Sequence, residues 1–420
     1  MIYPKLHRVR DLRDNAGVAD IAQTTADALT ACGLSARISP GARIAITAGS
    51  RGITDIAAVL RAVAEYIRAR GGDPFVIPAM GSHGGGTAQG QVTMLRELGI
   101  TEASIAAPIR AQMDVVEIGT ANGVSVVCDA LAAQADGIVI VARVKPHTDF
   151  SGTIESGILK MSAIGLGKAA GAKLYHAAFA REGYERVIRA VSAVALQRLP
   201  VLAGVAIVED NRGRTHTVEA CAAADVVAME ERLLQLARSL MSTLPFPELD
   251  LLIVDEMGKN ISGTGMDTNV TGRATDGRSQ KVPTPVVKRL FVRGLTEASH
   301  GNATGIGLAD FCTKRLADSI DWQATYLNAL TAAQPAAARL PIVCRDDRYA
   351  IENALVAAGI EDAETARIAR IHNTLHMEAI YASRAALNEL SNREHYDVSG
   401  QYDALAFDAH DNLAHLSTLS

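Results

Sequence analysis

Short apolar runs alternate with amphipathic helical segments through the first half of the chain. Arg43–Thr47 and Phe75–Ile77 have the composition of strands, and each is followed by a glycine-containing loop and then a helical segment. We expect the first of these helices to begin at the N-cap Thr54 and to stop at Gly71–Gly72. It carries apolar residues at the spacing of one buried face, namely Ile56, Val59, Leu60, Val63, Tyr66 and Ile67.

The same strand–loop–helix plan continues along the chain. A second helix is expected from about Thr87 to Leu98. The next strand, Gly137–Ala142, is almost continuously apolar, which is typical of a parallel strand covered on both faces. The pattern therefore predicts an α/β fold with largely parallel sheets.

A proline-bearing stretch, Thr243–Pro247, interrupts this alternation and looks like a joint between domains. The alternation then restarts with a strand at Leu251–Val254, a later strand over Thr365–Ile371 and a helix around Leu375–Leu387. A length of 420 residues also favours more than one domain. We predict two α/β domains: residues 1–245 carry the catalytic and cofactor residues, and residues 246–420 close an active-site cleft.

Composition narrows the class of protein. Against 46 acidic residues there are 41 Lys and Arg, a net charge of −5, which gives no electrostatic reason to expect nucleic acid as a partner. No apolar run approaches the roughly 20 residues that span a bilayer, and the charged N-terminus predicts a cytoplasmic protein. The composition does not exclude a homo-oligomer. The scattered cysteines indicate free thiols in a reducing compartment: Cys32, Cys128, Cys221, Cys312 and Cys344.

Three polar residues follow strands of the first half by a few positions: Arg51, His83 and His147. Ligands of open parallel sheets bind beyond the carboxyl ends of the strands, so these side chains are expected to share one crevice. The glycine-rich loop Gly81–Gly86 could also hold a phosphate through its backbone N–H groups, although it lacks a Walker sequence. A nucleotide- or phosphate-using transferase therefore stays open as an alternative.

Two further residues have an unusual sequence context. Lys160 lies in the apolar run Ile158–Met161, where a lysine either extends to the surface or is held inside for covalent chemistry with a carbonyl-type partner. His176 lies in a helix-like stretch, where metal binding and core packing are both possible.

These residues together resemble a known family. The set Pro146-His147-x-x-Phe150-x-Gly152, followed by Lys160 and, sixteen residues later, by His176, resembles the nickel-pincer lactate racemase family. The loops with Arg51 and His83 and the strand and turn at 366–374, which ends in Asn-Thr, are similar to that family as well.

The resemblance implies a role for each matching position. It implies a nickel-pincer nucleotide, a pyridinium bis-thiocarboxylate mononucleotide that holds nickel and is linked to Lys160, with His176 as the nickel ligand from the protein. It implies His83 and His147 as the acid–base pair and Arg51 as a substrate-binding residue. The implied activity is a racemase or epimerase that inverts C2 of a 2-hydroxy acid by hydride transfer, supplied with its cofactor by cofactor-synthesis proteins.

Some positions differ from the family pattern. Ala48 stands where the family has an Asp, Gly157-Ile158-Leu159 precede the lysine in place of Gly-Gly-Arg, and the substrate-binding Gln and Lys of the second domain have no match. These differences favour a 2-hydroxy acid that is larger than lactate or differently charged. The comparable loop offers other candidate substrate contacts: Lys259, Asn260, Asp267 and Arg273. A non-catalytic cofactor or nickel binder is a further alternative, although it would not need two acid–base histidines.

Overall fold

The fold is that of a computed structural model, which describes residues 2–50, 52–274 and 285–416. The chain forms two compact units. The N-terminal unit contains Asn15–His147 and Ser151–Met241, and the C-terminal unit contains Met1–Asp14, Thr148–Phe150 and Ser242–Ser420.

Most strands are short and largely buried. They are β1 (Leu6–Asp11), β2 (Arg43–Ala48), β3 (Asp73–Pro78), β4 (Val115–Ala121), β5 (Val124–Asp129), β6 (Gly137–Arg143), β7 (Val201–Glu209), β8 (Thr215–Cys221), β9 (Glu248–Met257), β10 (Val286–Leu295), β11 (Phe311–Thr313), β12 (Ile342–Cys344), β13 (Ile368–Ile371), β14 (Ile380–Ser383) and β15 (Tyr396–Tyr402).

Helices connect them, together with short 3₁₀ turns. The helices are α1 (Ile21–Ala31), α2 (Ile56–Arg68), α3 (Ala88–Glu97), α4 (Glu102–Ile105), α5 (Ala130–Ala133), α6 (Ile158–Lys160), α7 (Lys168–Glu182), α8 (Tyr184–Arg198), α9 (Val226–Leu240), α10 (Thr268–Thr271), α11 (Lys314–Asp318), α12 (Trp322–Thr331), α13 (Asp347–Ala357) and α14 (Arg384–Leu387). A π-helical turn, Met161–Gly165, continues directly from α6.

The N-terminal unit is built on a five-stranded sheet of order β3-β2-β6-β7-β8. Its strands are parallel except β8, which pairs antiparallel with β7. Strand β6 is in the middle and its six residues from Gly137 to Ala142 are buried, as the apolar run predicts. A separate antiparallel hairpin, β4–β5, packs against α7 and α8.

The C-terminal unit is built on an eight-stranded mixed sheet of order β12-β11-β10-β9-β13-β14-β1-β15. The strands from β12 to β13 are parallel, and the remaining pairs are antiparallel. Strand β1 comes from the first residues of the chain, so the N-terminal segment completes this sheet. The predicted fold class, α/β with two units and largely parallel sheets, is confirmed.

The helix predicted from the apolar spacing is confirmed as α2, and all six predicted face residues are buried. Its N-cap is Asp55 rather than Thr54, so that prediction is wrong. The hydroxyl of Thr54 instead donates to the carbonyl of Gly213, and its N–H donates to Glu209. The 3.6-residue period identified the helix, while the cap was decided by contacts with a distant loop.

The helix predicted around Leu375–Leu387 is also wrong. Most of that segment is a turn followed by β14, and only Arg384–Leu387 is helical. Strand β14 pairs antiparallel with β1 on one side and β13 on the other, and its four residues are buried. Pairing with a strand from the other end of the chain overrides the local helical pattern.

Among the described residues, no helix is both long enough and apolar enough to cross a membrane.

A fully buried arginine fastens the end of the chain to the C-terminal sheet. The guanidinium of Arg370 makes two hydrogen bonds of 2.9 Å to the carboxylate of Asp255 and donates to the carbonyls of Ala404 and Ala414. Arg293 also pairs with Asp255, at 2.9 Å. Three charges thus compensate one another inside the protein, and removal of one guanidinium leaves the carboxylate of Asp255 without full compensation.

We therefore expect Arg370→Met to destabilise the C-terminal unit by about 3–5 kcal/mol, because it leaves a buried carboxylate underpaired and releases two carbonyls. Urea unfolding followed by the fluorescence of Trp322 measures this, since the chain has one tryptophan and it lies in this unit. Arg10→Met is the control: it breaks an exposed pair with Asp397 and should cost about 1 kcal/mol or less. Equal losses in the two variants would contradict the prediction.

Candidate active site

The loop after β6 is closed on itself and carries His147. Lys145 and Ser156 exchange two backbone hydrogen bonds, of 3.1 and 3.2 Å, at the two ends of this loop. The buried carboxylate of Glu155 accepts from the N–H groups of His147 and Gly152 and from the guanidinium of Arg238, the last at 2.6 Å. The backbone at His147 is therefore fixed from inside the loop.

This closure brings His147 to Lys160. The Nζ atom of Lys160, at the end of α6, lies 2.6 Å from Nε2 of His147. The two residues are thirteen positions apart in sequence and come from a strand-end loop and a short helix. The contact is that of a hydrogen bond between an amine and an imidazole.

His176 lies on α7 and is electrostatically coupled to the same lysine. Burial lowers the pKa of the His176 imidazole, and the positive charge of Lys160 lowers it further. The ring is therefore held neutral near pH 7, which is the form that binds a metal ion. His147, Lys160 and His176 are thus brought together in the N-terminal unit.

Aromatic rings form one side of this group. Phe179 packs edge-on against His176, with 5.3 Å between ring centroids, and stacks on Tyr184 at 4.6 Å. Tyr184 in turn lies 6.2 Å from the ring of His147. These rings pack beside both imidazoles and restrict their orientation.

A buried carboxylate lies beneath the helix that carries Lys160. Glu230, on α9, accepts a hydrogen bond of 2.9 Å from the N–H of Leu159 and is fully buried. A Cβ at Gly157 would lie 2.4 Å from the carboxyl carbon of Glu230, so a larger residue there would displace this carboxyl group. Burial raises the pKa of Glu230 to about 7. Sequence reasoning missed this residue, although an acidic position on the apolar face of α9 was a readable signal.

The loop with His83 follows β3 and begins beside Met80. The Nδ1 atom of His83 lies 2.8 Å from the carbonyl oxygen of Met80. A carbonyl only accepts, so Nδ1 carries the hydrogen and Nε2 is the nitrogen that exchanges a proton in the neutral ring. Gly84 has a φ of +65°, and a Cβ there would lie 2.6 Å from the backbone of Gly90, so the tight turn requires glycine.

The same loop lies against the start of α7. A Cβ at Gly81 would be 3.8 Å from the Cβ of Ala172, and one at Gly86 would be 3.6 Å from the Cβ of Ala169. His83 and His176 are therefore carried by segments in contact. The N–H groups of Gly86 and Thr87 donate to carbonyls of the loop itself, so they are already used within the chain.

Lys168 is a second residue that sequence reasoning missed. It is fully buried, its φ is +55°, and its Nζ atom forms an ion pair of 2.9 Å with Asp129. It also donates to the carbonyl of Pro78 at 2.7 Å and to Oε1 of Gln91 at 3.3 Å. Nothing in the local sequence distinguishes a buried lysine from an exposed one at this position, because its partners are distant along the chain.

The remaining site candidates are in the C-terminal unit or outside the described residues. Lys259 donates to the carbonyl of Gly263, and Asn260 accepts from the hydroxyl of Thr296 at 2.6 Å. Asp267 caps α10 by accepting from the N–H of Asn269 at 2.9 Å. Arg273 pairs with Asp310. Arg51 lies outside the described residues.

A solved structure shares this architecture. The lactate racemase apoprotein from Thermoanaerobacterium thermosaccharolyticum superposes with a TM-score of 0.55, over 88% of this chain and 98% of that chain, at 13% sequence identity. The chain has the fold of lactate racemase. At this identity the similarity establishes the fold alone. No protein-family model matches the sequence, and no characterised protein matches it by sequence.

The raised pKa of Glu230 predicts a stability that depends on pH. The folded chain keeps a proton that the unfolded chain loses near the ordinary pKa of a glutamate, so the folded state loses stability as pH rises from about 4.5 to about 7. The loss amounts to about 3 kcal/mol. Glu230→Gln should remove it, and the variant should be the more stable protein at pH 8 but not at pH 5.

Thermal unfolding followed by circular dichroism from pH 5 to pH 8 tests this difference. Glu231→Gln is the control, because it removes the same charge from the neighbouring residue, which pairs with Arg189 at the surface. If the curves of Glu230→Gln and the native protein run parallel over this range, Glu230 does not titrate as described.

Proposed function

We propose that this protein is a racemase or epimerase that inverts C2 of a 2-hydroxy acid with a nickel-pincer nucleotide. One observation carries the proposal: the side chain of Lys160 lies 2.6 Å from His147 and is coupled to His176, within a chain that has the fold of lactate racemase. The resemblance of the sequence assigns the acid–base, cofactor and metal roles to these same positions.

The donor set fits such a group. Within the described residues, no three His, Cys, Asp or Glu side chains lie together as metal ligands. A metal bound at His176 would therefore take its other donors from the bound group, and a pincer nucleotide brings sulfur and carbon donors of its own. Lys160 would hold the nucleotide covalently, and His176 would supply the imidazole ligand. When bound, the group supplies a centre that accepts hydride from C2 and returns it.

The chain's own residues move the proton of the substrate hydroxyl. An imidazole takes this proton as hydride leaves C2, and an imidazole gives it back when hydride returns to the opposite face. His147 and His83 are suited to this because the ordinary pKa of histidine lies near neutral pH. Because Nδ1 of His83 donates a hydrogen bond to the carbonyl of Met80, Nε2 is the nitrogen that accepts the substrate proton.

The substrate needs a cationic anchor for its carboxylate. Arg51 is the proposed anchor, since a guanidinium binds both carboxylate oxygens in one plane. Lys259, Asn260 and Asp267 are proposed to contact the remainder of the substrate. Because the family's Asp is replaced by Ala48 and its Gln and Lys are not matched, a 2-hydroxy acid larger than lactate or differently charged is the proposed substrate class.

The decisive experiment is a chiral assay on the protein produced together with the cofactor-synthesis proteins. A panel of enantiopure 2-hydroxy acids labelled with deuterium at C2 is incubated in ordinary water, and configuration and deuterium content are measured. We expect inversion with deuterium retained, because hydride returns to the carbon it left. Inversion with loss of deuterium to solvent would indicate proton abstraction and would contradict the hydride mechanism.

Variants test the assigned residues. His83→Ala and His147→Ala should each lower kcat by about 10²–10⁴-fold, as expected for loss of an acid–base group. His216→Ala, which removes an imidazole on β8 that hydrogen-bonds Thr217, is the control and should retain activity.

A cofactor mass adduct should map to the peptide that contains Lys160. It should be absent from Lys160→Ala but remain in the control Lys173→Ala, which alters an exposed lysine of α7.

Other outcomes would favour the alternatives. Nickel-free protein that binds ATP would favour a nucleotide- or phosphate-using transferase. Bound nickel without inversion of any 2-hydroxy acid, and with no effect of His83→Ala, would favour a cofactor or nickel carrier.

A further inference from the structure

The buried ammonium of Lys168 is surrounded by protein oxygens and has no hydrogen to spare for a ligand. An ammonium group has three hydrogens, and three protein oxygens surround it: Pro78 O, Oδ2 of Asp129 and Oε1 of Gln91, at 2.7, 2.9 and 3.3 Å. Lys168 and Asp129 are both fully buried and of opposite charge. The role of this lysine must therefore lie inside the protein.

Gln91 links this ammonium to the loop of His83. Its Oε1 accepts from Lys168, and its Nε2 donates to the carbonyls of Gly81 and His83, at 3.0 and 3.3 Å. Gln91 is fully buried on α3. Because Lys168 occupies the acceptor oxygen, the amide of Gln91 is oriented with its two donors towards the loop.

The loop needs such a support. Gly81, Gly84, Gly85 and Gly86 all have positive φ values, and glycines impose little conformational preference of their own. An acid–base group must nevertheless be held within a fraction of an ångström of its working position. The order of the loop must therefore come from contacts made to it, and the donors of Gln91 are buried contacts of this kind.

Lys168 also lies midway along the chain between Lys160 and His176. It is eight positions after Lys160 and eight before His176, at the junction of the π-helical turn and α7. Its left-handed φ of +55° is unfavourable for a lysine, so the contacts of its side chain hold this junction. One buried cation thus binds the segment that carries Lys160 and His176 to the loop that carries His83.

We propose that Lys168 is a positioning residue that, through Gln91, fixes the His83 loop relative to the segment of Lys160 and His176. The consequence for catalysis rests on the proposed function of His83, whereas the consequence for loop order does not. Loss of the link should loosen residues 81–87 without unfolding the N-terminal unit.

Gln91→Met and Gln91→Glu test the link in the apoprotein. The first removes both donors to the loop, and the second replaces them with a carboxylate oxygen while it keeps an acceptor for Lys168. Amide hydrogen exchange of residues 81–87 should accelerate about tenfold or more in both variants. The ¹⁵N NMR signals of the His83 ring should change from a single Nδ1–H tautomer to a mixture.

Two further variants separate positioning from general stability. Gln112→Met is the matched control, because the amide of Gln112 donates to Oδ1 of the same Asp129 at 2.8 Å and to the carbonyl of Asp114, not to the His83 loop. The double variant Lys168→Met with Asp129→Asn removes both buried charges together, so the protein should still fold. Amide exchange of residues 81–87 should nevertheless be faster than in the native protein, because the amide of Gln91 is no longer oriented.

Two results would show that the Lys168–Gln91 link does not support the His83 loop. Unchanged loop exchange in Gln91→Met, or an equal acceleration in Gln112→Met, would overturn the proposal. In the enzyme that carries its nickel-pincer nucleotide, Gln91→Glu should lower kcat more than it raises KM, because the loop holds the proposed acid–base group and not the substrate. If the Gln91 variants have a looser loop but the native protein with its cofactor inverts no 2-hydroxy acid, the positioning role holds and the proposed function is refuted.

Discussion

The candidate site depends on the closure of one loop. The two backbone hydrogen bonds between Lys145 and Ser156 return the chain to the end of β6, and the buried carboxylate of Glu155 then fixes the N–H of His147. Only with that closure does α6 begin where Lys160 can reach the ring of His147. The loop is held by its own backbone and by an internal charge, so the contact does not rely on flexible surface side chains.

Buried ionisable groups recur where the candidate site residues join the fold. Glu155 binds the backbone of His147, Glu230 binds the backbone of α6 just before Lys160, and Lys168 is linked to the backbone at His83. A buried charge is costly unless hydrogen-bonded, and here the compensating groups are backbone N–H and C=O groups or polar side chains that bond them. The cost of burial thereby becomes a constraint on the position of these candidate side chains.

The sequence predicts well what is local and repetitive. The period of α2 and the apolar run of β6 each follow from residues within one element, and both match the fold. The errors come from distant partners: β14 is a strand because β1 pairs with it from the start of the chain. Lys168 was missed for the same reason, since Asp129 and Gln91 lie 39 and 77 positions away. Glu230 differs, because its acidic position among apolar residues of α9 was visible in the pattern.

The candidate residues of the N-terminal unit and those of the C-terminal unit have different surroundings. His83, His147, Lys160 and His176 belong to one unit, where buried charges and tight glycine contacts restrict any change. Lys259, Asn260 and Asp267 lie in a loop of the other unit, after β9, where hydroxyl and backbone partners make local turns. Turns of this kind tolerate substitution better than a buried ionic network does. Under the proposed function, the two groups of residues can therefore vary separately, so the match to the family in the N-terminal unit does not imply lactate as the substrate.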